Sequence, residues 1–462
     1  MDRLLALTLP PLAPLLGGLS REEAERVRPV VVAAVDEARA RSWPFLSDLL
    51  ERVLRPVADD DRGAAAQLVH ALVRYDRLLA FAARGERSDG SARLDALLAI
   101  ADPASPDRAD LQRRLDRVEA PTERLGILYS LPDWLVDVIR DDVGDDALPA
   151  TLARMNETPP RVVRVNTLRT TRDACLRALA DSGIGAEPTP HAALGLVLDG
   201  RRSPFRTAAF ARGDFEVQDE ASQLVAELVA PPPKTSVVDA CAGAGGKTLA
   251  LAASLGGKGR VFALDVSDDK LDELRRRARR AEASNVQATP CDLLAPNEAF
   301  QALQGRASRV LVDAPCTGLG AIRRNPELRW RLRPEQLDSL AQVQAALLRA
   351  AASLVMPRGR IIYATCSFLR REGEGVFEPF LAADPRFSLV TARDVLGRAR
   401  SEAIATADGR YLRTWQPDTA RVGATVSPGA APGTAKVGNV GNAGMDGFFA
   451  AVARLSADAA TV

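Results

Sequence analysis

After Pro233 the chain alternates short β-branched runs with helical segments, and this rhythm constrains the fold more than any other feature. The runs Ser236–Asp239, Arg260–Asp265 and Arg309–Asp313 are each followed by the apolar spacing of a helix. Such alternation is typical of a parallel, doubly wound α/β sheet, whose ligands bind beyond the carboxyl ends of the strands. Carboxylates that end predicted strands therefore share one edge: Asp239, Asp265, Asp292 and Asp313.

Two other regions precede this sheet. Apolar residues at three- and four-residue spacing predict helices near the start, and Arg161–Asn166 is the first strand expected in a small α+β unit. A Gly- and Ala-rich insertion at 419–444 is expected to be a flexible loop, and Gly447–Leu455 is the last predicted strand. We therefore expect a helical domain at 1–140, a small α+β domain at 141–230 and the doubly wound domain at 231–462.

Composition excludes several classes of chemistry. The chain has only two histidines, His70 and His191, and five scattered cysteines without a Cys-x-x-Cys pair, so we expect no metal site and no His-dependent catalysis. Lys+Arg is 61 and Asp+Glu is 60, a net charge of +1, so any nucleic-acid binding must depend on a local basic cluster. No apolar stretch is long enough for a bilayer, and we expect a soluble, cytoplasmic monomer.

A glycine-rich loop follows the first strand of the predicted sheet. Asp239–Thr248 reads DACAGAGGKT, and its small residues allow backbone N–H groups to approach a ligand at the start of a helix. A P-loop ATPase needs glycine where Cys241 stands, whereas Asp265, about twenty residues after Gly243, suits a ribose-binding carboxylate. The pattern favours a nucleoside such as S-adenosylmethionine over ATP, and a turn without a ligand remains the third interpretation.

Two cysteines are predicted to face one cleft. Cys316 follows Asp313 closely, and Cys366 directly follows the strand Arg360–Thr365. A lone cysteine is commonly a small buried hydrophobe, which is how we interpret Cys175 and Cys291. A paired thiol beside a nucleoside loop suits covalent catalysis on a cytosine, because thiolate addition to carbon 6 makes carbon 5 nucleophilic and needs no histidine.

These motifs resemble the signature elements of the Sun (Fmu, RsmB-type) RNA 5-methylcytosine methyltransferases. The matching elements are the glycine loop, DAPCTGLGAIRRNPELRW at Asp313–Trp330, YATCS at Tyr363–Ser367, RVNTL at 164–168, VQDEAS at 217–222 and DGFF at 446–449. The resemblance covers about residues 125 to 455. It implies a Rossmann-like methyltransferase domain preceded by a small domain similar to an RNA-recognition fold. Some members of the family also carry an N-terminal helical domain similar to NusB, and residues 1–125 are the segment expected to correspond to it.

The resemblance also implies residue roles. Cys366 is the expected nucleophile, Cys316 assists release of the covalent adduct, and Asp313 contacts substrate and cofactor. S-adenosylmethionine is the expected cofactor, and the residues that correspond to its site are Cys241, Ala242, Gly243, Ala244, Gly245, Gly246, Lys247, Asp265, Asp292 and Asp313. The expected substrate is ribosomal RNA, with transfer RNA as the second choice.

Four residues are predicted to contact RNA. Arg164 and Asn166 lie in the segment that resembles the RNA-binding domain, and Arg323 and Arg324 belong to an arginine cluster after Cys316. The arginines at 275–280 are interpreted as a solvated helix face, and the target cytosine must be single-stranded or flipped. Two functions compete with a cytosine methyltransferase: a P-loop ATPase and a catalytically idle RNA-binding assembly factor.

Overall fold

The computed structural model describes residues 7–10, 12, 16, 18–85, 88–200, 202–415 and 444–458, and the chain forms two compact units. The first contains the described residues up to Thr158 together with Ala321–Pro334, and the second contains the remainder. Nearly all of the insertion predicted at 419–444 lies outside the described residues. No helix in the described part is long and apolar enough to cross a membrane.

The first unit is helical, as predicted. Its α-helices in the described ranges are Arg21–Ala40, Leu46–Val53, Asp59–Arg74, Asp76–Ala82, Gly90–Ala101, Pro106–Leu115, Pro121–Leu128, Asp133–Arg154 and Leu328–Arg331. Ser20 begins the first of them, because its hydroxyl accepts from the Glu23 N–H while the Glu23 carboxylate accepts from the Ser20 N–H. The helix Asp133–Arg154, which is kinked at Gly144, crosses residue 140, where we placed the end of the first domain.

The segment Ala321–Pro334 is an integral part of the first unit. The Arg329 guanidinium is fully buried and donates to the Arg74 carbonyl at 2.9 Å and to Asn156 Oδ1 at 2.7 Å. The Trp330 indole N–H donates to the Val73 carbonyl at 2.9 Å. Buried donors of this kind must be paired, so these bonds fix the segment among the helices.

The second unit begins with a small antiparallel sheet. Its strands are β1 (Arg161–Val165), β2 (Ala186–Pro188), β3 (Gly195–Leu198) and β4 (Phe215–Val217), in the order β2-β3-β1-β4. The helices that accompany it are Arg172–Asp181, Ala208–Arg212 and Glu220–Val229. Cys175 is buried in the core of this sheet, in agreement with its interpretation as a small hydrophobe.

The larger sheet is doubly wound. Its strands are β5 (Ser236–Asp239), β6 (Arg260–Asp265), β7 (Val286–Pro290), β8 (Ala307–Asp313), β9 (Val355–Thr365), β10 (Phe387–Val390), β11 (Leu412–Arg413) and β12 (Phe449–Leu455). In the described residues the order is β10-β12-β9-β8-β5-β6-β7, and β11 pairs with β12. The five strands from β5 to β9 are mutually parallel, whereas β12 pairs antiparallel to β9. The predicted α/β fold class is confirmed.

Helices cover both faces of this sheet. Those in its part of the chain are Gly246–Ser254, Asp268–Arg280, Glu298–Gln301, Pro334–Ala352, Glu374–Ala383, Ala392–Leu396 and Arg398–Ile404. Val238 and Val310 pack in one core and their neighbours Val237 and Leu311 in the other, because successive side chains of a strand point to opposite faces. The strand order reverses between β5 and β8, which is where open α/β sheets bind their ligands.

Candidate active site

The glycine loop connects β5 to the helix Gly246–Ser254. Gly243 has φ +53° and Gly245 has φ +87°, conformations that side chains rarely adopt. A Cβ atom on Gly245 would lie 2.6 Å from Leu274 Cγ, whereas nothing lies within 4 Å of the position that a Cβ atom on Gly243 would take. The loop therefore packs tightly on one side and is open to a ligand on the other.

Asp265 ends β6 beside this loop. Its Oδ2 accepts from the Gly243 backbone N–H at 2.8 Å, and its Oδ1 accepts from the Ser267 N–H at 2.9 Å. A carboxylate offers about four acceptor positions, so hydroxyl donors of a ligand can still bind. Asp292 lies two residues beyond the end of β7, where its side chain is exposed and its Oδ1 accepts from the Leu294 N–H.

Lys247 and Asp313 form an ion pair at the end of β8. The Nζ–Oδ2 distance is 2.6 Å, and the Lys247 ammonium also lies 5.0 Å from the centre of the Phe448 ring. Burial alone would lower the pKa of Lys247, but the charge and hydrogen bond of Asp313 outweigh burial and raise it. Lys247 is therefore a buried cation held by the strand-end carboxylate.

Asp239 is a second buried carboxylate at the base of the loop. Its Oδ2 accepts from the Thr248 hydroxyl at 2.7 Å, and its Oδ1 has no hydrogen-bond partner. Burial raises the pKa of Asp239 to about 7. The residue was predicted at the sheet edge but was not assigned to the site.

The two predicted thiols are adjacent. Asp313 pairs with Ala364 across the parallel strands β8 and β9, which brings the residues that follow each strand together. Cys316 Sγ lies 3.3 Å from Cys366 Sγ, and both side chains are half-buried. The contact with Cys366 and burial together raise the pKa of Cys316 well above its ordinary value.

The last strand of the sheet supports this cleft. The Gly320 N–H donates to the Cys366 carbonyl at 3.0 Å, and the Gly447 N–H donates to the Gly320 carbonyl at 2.8 Å. A side chain on Gly320 would collide with the Gly447 carbonyl, so the two backbones cross at a point that only glycine allows. This crossing places Phe448, from the DGFF element, beside Lys247.

Sequence reasoning missed a polar cluster behind Cys316. Thr317, Gln344, Tyr363 and Glu372 are all buried and bond to one another. Their signal in the sequence was weak, because Gln344 lies inside a long helix and Glu372 lies six residues after Cys366. They come together only in the fold, because Thr317 follows β8, Gln344 lies in the helix Pro334–Ala352, Tyr363 lies in β9 and Glu372 lies in a 3-10 helix.

Three of the four residues predicted to contact RNA are buried. Arg164 Nε donates to Gln218 Oε1 at 2.6 Å, and Asn166 Nδ2 donates to the Gly213 and Ala281 carbonyls at 2.9 and 2.8 Å. Arg323 is 1% exposed, with its guanidinium 3.8 Å from the Glu157 carboxylate. Only Arg324 is partly open to solvent. The contact of these four residues with RNA stays a prediction.

The arginine-rich helix Asp268–Arg280 is only partly a solvated face. Arg277 and Arg280 both pair with the buried Glu216 carboxylate of β4, at 2.9 and 2.5 Å. Arg277 also donates to the Ala244 carbonyl of the glycine loop at 2.8 Å. These two arginines therefore connect the small sheet to the loop, whereas Arg276 pairs with Glu273 on the surface.

Family profiles match two parts of the chain. A profile described as 16S rRNA methyltransferase RsmB/F matches residues 226–423, and one described as the ferredoxin-like domain of RsmF/B-like methyltransferases matches residues 131–203. Ribosomal RNA small subunit methyltransferase B of Xylella fastidiosa (strain 9a5c) is 33% identical over 76% of this chain and 89% of its own length.

Other relatives align over a shorter region. The probable ribosomal RNA small subunit methyltransferases B of Synechocystis sp. and Bacillus subtilis are 33% and 34% identical over 56% and 59% of this chain. The chain spans only 57% and 60% of the lengths of those two proteins.

Solved structures share the fold. The crystal structure of PH0851 has a TM-score of 0.71 at 23% identity and covers 97% of this chain and 99% of its own. NSun6 from Pyrococcus horikoshii, solved with SFG, has a TM-score of 0.58 at 18% identity and covers 71% of this chain and 99% of its own. At these identities the likeness shows the fold alone.

Proposed function

Because the chain belongs to the RsmB/F methyltransferase family, we propose that it transfers a methyl group from S-adenosylmethionine to carbon 5 of a cytosine in RNA. The observation that carries this proposal is the pair of sulfur atoms 3.3 Å apart at the carboxyl ends of two neighbouring strands. Two adjacent, half-buried thiols suit a reaction that forms and then breaks a bond to carbon 6.

The residues present fit the cofactor. The open face at Gly243, the acceptor positions left on Asp265 and the strand-order reversal beside the loop suit a nucleoside ligand. Cys241, Ala242, Ala244, Gly246, Lys247 and Asp313 complete the proposed site, with Asp292 at its rim. S-adenosylmethionine supplies an electrophilic methyl group when bound there.

The thiols perform the covalent chemistry. The Cys366 thiolate adds to carbon 6 of the cytosine, and the electron pair released into the ring makes carbon 5 nucleophilic. Carbon 5 then takes the methyl group, and S-adenosylhomocysteine is the leaving group. Water accepts the carbon 5 proton, and the electron pair of that C–H bond expels the sulfur, which regenerates the Cys366 thiolate and leaves 5-methylcytosine. Cys316, next to Cys366, assists this release, and Asp313 contacts the base.

The proposed substrate is ribosomal RNA, with transfer RNA as the alternative, because relatives aligned over most of their length are named small subunit rRNA methyltransferases. The target cytosine must leave its stack to reach a half-buried thiol. An ATPase function is disfavoured, since a P-loop lysine must reach phosphates and Lys247 is ion-paired with Asp313.

The test is methyl transfer by the purified protein. Small subunit RNA and, separately, transfer RNA are incubated with the protein and S-adenosylmethionine, and 5-methylcytidine is quantified in digested nucleosides. Cys366→Ala should abolish the product, whereas Cys175→Ala, a change in the core of the small sheet, should retain it in protein that is still folded. Full activity of Cys366→Ala would show that Cys366 is not the nucleophile. If the parent protein binds RNA but forms no 5-methylcytidine, the catalytically idle assembly factor is favoured.

A further inference from the structure

A buried carboxylate lies behind the loop that carries Cys316. Glu372 ends the short 3-10 helix Arg370–Glu372, and its side chain has no exposed surface. Its Oε1 accepts from the Thr317 backbone N–H and from Gln344 Nε2, both at 2.9 Å, and its Oε2 accepts from the Thr317 hydroxyl at 2.6 Å. Three donors suit an ionised carboxylate, which only accepts hydrogen bonds.

The same cluster holds the residues on both sides of Cys316. Gln344 Nε2 also donates to the Pro315 carbonyl at 2.9 Å, while Thr317 is bound twice by Glu372. The Tyr363 hydroxyl donates to the Glu372 backbone carbonyl at 2.7 Å and so holds the glutamate from β9. The position of the Cys316 sulfur is therefore set by a buried network rather than by a free loop.

The negative charge of Glu372 acts on Cys316. It adds to the contact with Cys366 and to burial in raising the pKa of Cys316. Of the remaining neighbours, Asp313 is paired with Lys247, and burial raises the pKa of Tyr363, which stays a neutral donor.

We propose that Glu372, which is bonded to Thr317 beside Cys316, is a positioning residue that keeps the proton on Cys316, so that Cys316 donates its S–H to Cys366 and Cys366 is the thiol that acts as the nucleophile. The sulfur–sulfur distance of 3.3 Å allows this hydrogen bond. The inference rests on the proposed function, because it explains why one of two neighbouring thiols acts as the nucleophile in that reaction. Its test needs neither RNA nor cofactor.

The test is alkylation of the two thiols, followed by peptide mass spectrometry. Both cysteines are half-buried. With iodoacetamide at about pH 7.5, Cys366 should react about tenfold faster than Cys316. Glu372→Gln keeps the shape of the side chain but removes its charge, and it should lower the ratio of the two alkylation rates about fivefold. Glu378→Gln, a matched change at an exposed position of the following helix, should leave the ratio unchanged.

The outcomes separate this inference from the proposed function. Equal reactivity in the parent protein, or an unchanged ratio in folded Glu372→Gln, would overturn the role of Glu372. If that variant does not fold, the pH profile of Cys316 alkylation in the parent decides, because Cys316 must become reactive only at a higher pH than a free model thiol. If Cys366 is alkylated faster than Cys316 but the protein methylates no RNA, the proposed function alone is overturned. If the protein methylates RNA but Cys316 is alkylated faster than Cys366, this inference alone is overturned.

Discussion

The Lys247 ammonium is 2.6 Å from the Asp313 carboxylate, at the point where β8 ends and the loop with Cys316 begins. The two partners differ in exposure, since the Lys247 side chain is 10% exposed and that of Asp313 is 28% exposed. Removal of either partner leaves the other charge without compensation, and the cost rises with burial.

Asp313→Asn should therefore destabilise the protein more than Lys247→Met. We expect a loss of about 2 to 3 kcal/mol in the free energy of unfolding for Asp313→Asn, because a buried ammonium is left unpaired. Lys247→Met should cost about 1 kcal/mol, because the Asp313 carboxylate keeps contact with water. Urea unfolding monitored by tryptophan fluorescence measures both, and the reverse order would show that Asp313 is the more strongly desolvated partner.

Asp239 should make stability fall as the pH rises. Burial raises the pKa of Asp239 to about 7, whereas an unfolded chain releases this proton near pH 4, so the folded state binds more protons between those values. Asp239→Asn should gain stability over the parent across this window, by about 2 to 4 kcal/mol at pH 8.

Urea unfolding of Asp239→Asn and the parent at pH 5 and pH 8 tests whether the contribution of Asp239 to the free energy of unfolding falls as the pH rises. Asp384→Asn is the control of opposite direction, because the hydrogen bond from Arg386 lowers the pKa of Asp384. That variant should be less stable than the parent by the same amount at pH 5 and pH 8, because both values lie above the lowered pKa, and the loss should shrink only below about pH 4. A constant difference between Asp239→Asn and the parent at both pH values would contradict the raised pKa.

Gly245 is expected to be the least replaceable glycine of the cofactor loop. Its φ is +87°, and a Cβ atom on this residue would approach Leu274 Cγ to 2.6 Å, so a side chain here meets both backbone strain and a steric clash. Gly245→Ala should lower stability by about 2 to 4 kcal/mol and weaken S-adenosylmethionine binding at least about tenfold.

Gly256 provides the matched control. Its φ is +58° but nothing lies within 4 Å of the place a Cβ atom would take, so Gly256→Ala should cost only about 1 kcal/mol. Isothermal titration with S-adenosylmethionine should give the parent affinity for Gly256→Ala. Equal affinities for the two variants would show that the shape of the loop at Gly245 does not govern binding.

Arg324 and Arg329 should separate RNA binding from folding. Arg329→Gln removes a fully buried guanidinium that donates to several carbonyls, and we expect a loss of about 3 kcal/mol in stability. Arg324→Gln should cost less stability than Arg329→Gln, because Arg324 is only half-buried. It should lower the slope of log affinity against log salt concentration by about one unit, the effect of one lost phosphate contact. If Arg324→Gln binds RNA with the parent affinity at every salt concentration, Arg324 does not contact RNA.

The strands and their ends were predictable because parallel strands bury both faces and read as short apolar runs. β5, β6 and β8 end at Asp239, Asp265 and Asp313, as expected. Strands β2 and β4 were missed because three residues give too little pattern. The predicted pairing of Cys316 with Cys366 followed from their places after neighbouring strands, and the structure confirms that they are close.

The sequence could not show side-chain bonds whose partners are distant along the chain. Asn166 satisfies the carbonyls of Gly213 and Ala281, and Arg164 bonds to Gln218, so both stabilise the junction of strands and helices. Glu372 was missed for the same reason, because its partners Thr317 and Gln344 come from other elements. A motif identifies residue types, but only packing decides which of them face a ligand.

Trapping of the covalent adduct tests the central claim most directly. Cys316→Ala should accumulate a protein–RNA species that survives denaturing electrophoresis in the presence of S-adenosylmethionine, because the adduct forms through Cys366 but is released slowly. The double variant Cys316→Ala/Cys366→Ala should form none. An adduct that persists in the double variant, or 5-methylcytidine formed without Cys366, would contradict the assignment of Cys366 as the nucleophile.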